Sequence, residues 1–182
     1  KTRELLYANR FGQVIWQELR GVEAGHEHPQ ISIHRGRLLG LIHKAAVERL
    51  GADAIRTGCR VREFRQSDGG VTIAVADRSG GRSSASGDLL VGADGIHSVV
   101  RAQLYPDEGA PIWNGVMLWR GCTVWPLWRD GRTMAIAGGN FAKFVFYPIG
   151  TDPAQPGMRL TNWAVMAKTG ETGSSPPDRK SV

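Results

Sequence analysis

Only two cysteines stand in the 182 residues, Cys59 and Cys122, and they fit no zinc-ligand spacing. A disulfide-stapled scaffold is excluded, and free thiols in a reducing, cytoplasmic setting are expected. No apolar run approaches the ~18–20 residues that span a bilayer, which excludes a helical membrane protein. Aromatic residues make up 8% of the chain and do not interleave with basic clusters. The formal net charge of +6, from 23 Lys+Arg against 17 Asp+Glu, suits anionic ligands but is mild for nucleic acid. Among 24 glycines no Gly-x-Gly-x-x-Gly occurs, so the phosphate-cradling turn that opens many βαβ units is missing.

What is present reads as a globular chain. The hydrophobic share of 41% is ordinary, and the length allows one domain or two small lobes. Leu5–Ala8 and Gln13–Gln17 alternate around the turn formers Asn9 and Gly12, which predicts a β-hairpin. Gly21–Pro29 is a loop. Leu38, Ile42, Ala45, Ala46 and Leu50 recur on one face of a helix over Arg37–Leu50, stopped by Gly51. Val61–Arg65 and Val71–Ala76 read as strands around Ser67-Asp68-Gly69-Gly70. After the glycine-serine stretch Ser79–Gly87, the run Asp88-Leu89-Leu90-Val91-Gly92 predicts a strand buried on both faces. A helix follows from about Val99 to Leu104, before Pro106.

Beyond Pro106, strands are expected at Val116–Thr123, Thr133–Ala137, Ala142–Tyr147 and Leu160–Met166. The fold class is therefore α/β (α+β): helix-containing sequence in the middle, with antiparallel-looking β on either side joining one sheet. The divisions are 1–34 (hairpin and loop), 35–105 (α/β lobe), 106–168 (β-sheet) and 169–182 (a polar, flexible tail). The opening on Lys1-Thr2-Arg3 and the polar close read as the cut ends of an excised middle portion.

The strongest chemical signal is Gly92-Ala93-Asp94-Gly95-x-x-Ser98-x-x-Arg101, a strand end followed by a helix start. Ligands in open α/β sheets bind beyond the carboxyl ends of strands, and glycine lets a ligand approach the backbone. Asp94 would repel a phosphate directly. It accepts from backbone N–H groups as a helix cap, or it holds a water or a ribose hydroxyl; both readings stand.

This segment resembles the Asp-Gly fingerprint of class A flavoprotein aromatic hydroxylases, the para-hydroxybenzoate hydroxylase type. The same family carries an Arg-x-x-Leu at a helix start, matched here by Arg35-Gly36-Arg37-Leu38. Gly21–Gly25, Pro29–Arg35, Met117–Gly121 and Asn162-Trp163 are similar to the phenazine-modifying branch. The resemblance runs to about Met166. It implies a partial FAD-binding α/β lobe plus a substrate-side sheet. It also implies FAD and NAD(P)H as cofactors and hydroxylation of an aromatic small molecule with oxygen. Arg35, Asp94, Gly95, Ser98 and Arg101 are the implied cofactor contacts, with Trp119 and Tyr147 toward the substrate and no catalytic residue assigned. Arg35 has a plainer reading as a surface arginine before a helix.

Two departures matter. The glycine fingerprint and the family's later Gly-Asp segment are both absent, so this chain resembles an internal fragment and is not expected to retain flavin by itself. A second reading, from another class, is a non-catalytic β-rich binding module without flavin. His26 and His28, two apart on a glycine-flanked loop, suit a metal pair poorly. Arg56, Arg60, Arg62 and Arg65 read as a solvated edge rather than a nucleic-acid patch. Trp113, Trp119, Trp125 and Trp128 are read either as a floor for a planar ligand or as sheet packing. No nucleic-acid or membrane partner is expected.

Overall fold

The structure, a computed structural model, describes residues 1–151 and 154–173. It divides into two units, one comprising Lys1–His43 and the chain from Ile112 onward, the other Lys44–Pro111.

The first unit is built on a six-stranded sheet. Its strands are β1 (Glu4–Ala8), β2 (Val14–Leu19), β6 (Val116–Pro126), β7 (Thr133–Gly138), β8 (Ala142–Thr151) and β9 (Met158–Lys168), in the order β2-β1-β7-β8-β9-β6. The two β portions of the sequence thus join one sheet, through a parallel β1–β7 ladder that pairs Leu6 with Ala135. Asn9 makes the first hairpin: its side-chain oxygen accepts from the amides of Phe11 and Gln13, and Gly12 takes φ +80°. Leu6, Ala8 and Ala135 are buried together, with Ala137 and Phe146 packed against them. Trp128 meets Phe146 edge-on at 4.9 Å and Phe144 stacks on it at 5.4 Å.

A buried polar group ties the same sheet. The Glu4 carboxylate accepts from Thr133 Oγ1 at 2.6 Å and from Gln17 Nε2 at 2.5 Å, and pairs with Arg129 at 3.1 Å. Every oxygen of that charge has a donor, as a buried carboxylate requires.

Helix α1 (Arg35–Leu50) follows the expected periodicity and ends at Gly51, whose φ of +86° is one that favours glycine. The expected core stripe is not buried, however. No residue of α1 is buried, and Leu38, Ile42 and Leu50 are exposed. Periodicity names the face that would pack; it does not supply the surface to pack against.

The second unit holds a three-stranded sheet, β3 (Arg60–Ser67), β4 (Gly70–Ala76) and β5 (Arg82–Gly87), and the short helix α2 (Val99–Leu104). β5 occupies part of the expected glycine-serine connection Ser79–Gly87. Its serines are exposed and it needs no apolar pattern, because β4 supplies the ladder. Phe64 of β3 and Val75 of β4 are the buried apolar residues of this unit. The Gln103 side chain of α2 donates to Phe64 O at 2.5 Å and accepts from Phe64 N at 3.0 Å, standing in for a strand neighbour on the β3 edge. A bulge at Arg62 interrupts the β3–β4 register, and Arg60, Arg62 and Arg65 are exposed.

The strand expected over Asp88–Gly92 does not form. The segment is irregular, with Leu89 82% and Val91 74% exposed. A strand buried on both faces needs neighbours on both sides, and none of the described strands pairs with this one. At the other end, Thr169 and Gly170 bond back to Gly115 O and Gly173 to Trp113 O. The rest of the expected tail lies outside the described residues. No described helix is long and apolar enough to cross a membrane.

Candidate functional site

The register of the six-stranded sheet sorts its residues onto two faces. Trp119 lies opposite Val165, and Val165 opposite Phe144, on the face that carries the Leu6–Ala135 core. Cys122 lies opposite Asn162, and Asn162 opposite Tyr147, on the other face. Arg120, Ala164 and Val145 form the adjoining row there. Trp119 and Tyr147, the two substrate-side expectations, therefore stand on opposite faces, and a single cleft takes only one of them.

A cleft of 330 Å³ opens on the Tyr147 face. Arg120, Cys122, Tyr147, Ile149 and Asn162 line it from the sheet, and Ile33, His34 and Arg35 from the segment entering α1. Ile149 is buried at the cleft and Val145 beside it in the sheet. That entering segment is held by local bonds. Thr2 N donates to Gln30 O at 2.8 Å and the Thr2 hydroxyl meets Ser32 Oγ at 2.6 Å. Gly21, at φ +62°, makes room for it, since a Cβ there would sit 2.5 Å from Gln30 N. His34 then starts the helix: its Nδ1 accepts from Gly36 N at 3.1 Å and its carbonyl from the Arg37 and Leu38 amides. Arg35 is the first helical residue and its side chain is exposed.

Gly121 backs the cleft from behind. A Cβ there would lie 2.7 Å from the Trp163 ring, whose Nε1 donates to Thr123 Oγ1 at 3.1 Å. The indole thus packs on a bare backbone, and Arg120 and Cys122 project from the other face of β6.

Asp94, Gly95, Ser98 and Arg101 form a separate cluster in the second unit. Asp94 Oδ2 accepts from Val99 N at 2.7 Å and from Val100 N at 3.4 Å, and Oδ1 from Ser98 Oγ at 2.5 Å. Ser98 Oγ accepts from Arg101 N at 2.9 Å. The first amides of α2 are all satisfied from within, and of the two readings of Asp94 the helix cap is the one with partners in hand. The Ser98 hydroxyl, joined by the Val99 and Val100 amides, holds the Asp94 carboxyl below the ordinary Asp range. Gly95 has φ +82° with open space where a Cβ would stand, so its glycine serves the backbone bend. Arg101 donates to Ile96 O at 2.6 Å and pairs with Glu108 at 2.8 Å. Among the described residues, no three His, Cys, Asp or Glu side chains gather as a metal site.

Arg120, Cys122 and Asn162 were not singled out by sequence reasoning as site residues. The alternation along Val116–Gly121 puts Leu118 and Arg120 on one face and Met117 and Trp119 on the other. Which face carries the cleft is set by the core on the other side.

Residues 19–115 match a family model described as an FAD binding domain. The chain is 42% identical over 168 residues to the phenazine 1,6-dicarboxylic acid hydroxylase of Lysobacter antibioticus, covering 91% of this chain and 41% of that protein. It is 37% identical over 153 residues to the aurachin C monooxygenase/isomerase of Stigmatella aurantiaca, covering 84% and 36%. Its fold is that of the 2,6-dihydroxypyridine-3-hydroxylase from Arthrobacter nicotinovorans, with a TM-score of 0.58 at 16% identity over 97% of this chain and 41% of that one. The chain spans about two fifths of the length of these relatives. It belongs to the FAD binding domain family.

Proposed function

We propose that this chain supplies part of the FAD-binding lobe and the substrate-side sheet of an FAD-dependent hydroxylase that acts on an aromatic, phenazine-like small molecule with NAD(P)H and oxygen. The observation that carries it is the cleft: a sheet face with buried Ile149, lined by polar side chains, beside an arginine at a helix entry. Such a site takes a planar ring by its faces and edges. The named activity of the relative at 42% identity supports the ring type. Free exposed Cys59 and Cys122 suit a reducing cytoplasm.

The donor set fits part of a flavin site. The exposed Arg35 side chain has no hydrogen-bond or ion-pair partner among the described residues, and a guanidinium offers several donors in a rigid fork to a phosphate or carbonyl edge. The chain has no glycine-rich loop to cradle a pyrophosphate. FAD, when bound, supplies the redox chemistry that delivers oxygen to the ring. This chain's residues do the rest: Ile149 excludes water, Tyr147 and Asn162 orient the ring's polar edges, and Asp94 with Ser98 fixes the bend before α2.

The test uses the full-length protein that contains this chain. Flavin absorbance, NAD(P)H oxidation and an aromatic product one oxygen heavier are expected. Arg35→Lys keeps the charge but loses the fork, and should weaken flavin retention by about 1–3 kcal/mol without changing the apoprotein's melting temperature. A flavin-free protein that binds the aromatic without oxidising it would establish the binding-module reading instead.

A further inference from the structure

We propose that His34 positions Arg35 by capping α1 with its imidazole, which ties flavin retention to the protonation of one ring nitrogen; the inference rests on the flavin reading above. The bonds that hold the entering segment, from Thr2 to Gln30 and Ser32, stop two residues short of His34's own bond. His34 precedes the first helical residue, and its Nδ1 accepts from Gly36 N, the second amide of α1, at 3.1 Å. A side chain at the N-cap takes that bond, and the usual ones are Ser, Thr, Asp and Asn. Helix α2 follows that custom with Ser98 and Asp94. Helix α1 uses an imidazole instead, a cap acceptor that changes charge between about pH 5 and 8.

Gly36 leaves room for the ring. A Cβ there would lie 3.1 Å from His34 Cε1 and 3.2 Å from Nδ1, tighter than ordinary contact. While Nδ1 accepts, the neutral ring carries its proton on Nε2. A proton on Nδ1 turns the acceptor into a donor facing another N–H, and the cap is lost. The surroundings offer that proton no carboxylate. Arg35 and Arg37 stand on the first turn of α1, Arg120 and Cys122 line the cleft from β6 and Tyr147 from β8, and no Asp or Glu lines it among the described residues. Arg35 lies between the capping residue and the amide it holds, so the cap fixes the direction in which the Arg35 side chain leaves the backbone. His34 is thus a positioning residue that acts through Arg35. Its bond is complete above the histidine's titration and is lost as the pH falls through it.

The test uses the full-length protein that contains this chain, between about pH 5.5 and 8. Without flavin, nitrogen NMR of ring-labelled histidine should show His34 as the Nε2–H tautomer at the upper end. Exchange at the Gly36 amide, corrected for intrinsic rate, should accelerate toward the acid end. The flavin dissociation constant should rise about fivefold over the same range, the scale of a lost cap. His34→Asn keeps an acceptor that does not titrate and should restore tight binding in acid. His34→Ala should weaken flavin about fivefold at every pH. Gly36→Ala should weaken it too while the melting temperature holds or rises, because alanine favours the helix. A residue that served stability alone would not separate those two readouts. An Nδ1–H tautomer overturns the proposal, as does an acid limb that survives in His34→Asn. Flavin bound equally well by wild type and His34→Ala overturns the His34 assignment alone. A Gly36 amide that follows His34 in a full-length protein that takes up no flavin overturns the flavin reading alone.

Discussion

Leu5–Ala8 and Leu89–Gly92 are two short apolar runs that read alike in the sequence, and the fold treats them oppositely. The first lies within β1, with β2 on one side and β7 on the other, and Leu5 and Leu6 are 6% and 4% exposed. The second pairs with no described strand, and Leu89 is 82% exposed. Both runs open on a pair of leucines, and the exposed run carries the more apolar third residue, Val91 against Tyr7. The difference is the supply of backbone partners, because a buried strand must hydrogen-bond both of its edges. β1 gains one partner from its own hairpin and the other from a strand more than a hundred residues away.

The largest expected effect strikes the paired run. Leu6→Ala removes a buried side chain packed with Ala8 and Ala135, and should cost about 2–5 kcal/mol in denaturant unfolding. A loss near zero would mean that β1 does not anchor the sheet.

A smaller effect sharpens the contrast inside the second unit, where an edge is protected by one side chain. Gln103→Ala leaves the Phe64 amide and carbonyl without their partner and should destabilise that unit by about 1–2 kcal/mol. Hydrogen exchange at the Phe64 amide should rise while the six-stranded sheet stays protected.

Next comes the cap that follows the unpaired run. Asp94 is held below the ordinary Asp range, so its contribution is complete above about pH 4 and is lost as pH falls through its lowered value. Amide exchange at Val99 and Val100, corrected for intrinsic rate, should accelerate on that acid limb. In Asp94→Ala the acceleration should already be present at neutral pH. An acid limb that persists in the Ala variant would assign the effect to another group.

The smallest effect completes the comparison. Leu89→Ala should change stability by no more than about 0.5 kcal/mol, because the side chain is already in water. A loss as large as that of Leu6→Ala would show that Leu89 is covered in solution.

Where a strand carried its own alternation and a turn beside it, the residues alone placed it: Asn9 and Gly12 at the first hairpin, Ser67–Gly70 at the β3–β4 turn. β5 was missed because an exposed, serine-rich strand is specified by its neighbour's ladder and carries no apolar pattern. The cleft was half legible. Arg35 and Tyr147 were named from sequence, and both line it; Arg120 was visible only as a member of an alternation whose inward face was unknown.

The sequence by itself determined the local chemistry: the Asn9 turn, the Gly51 helix stop, and the Asp94–Ser98 pair whose oxygens stand within a few residues of the amides they cap. These depend on bonds of short sequence separation, which any conformer of the segment can sample. Only the tertiary structure decided which apolar run was buried, which face of β6 met Trp163 and which faced the cleft, and that β1 joined β7 in parallel. Those outcomes rest on pairings between residues far apart in the chain, and no local pattern encodes whether the distant partner is there to make them.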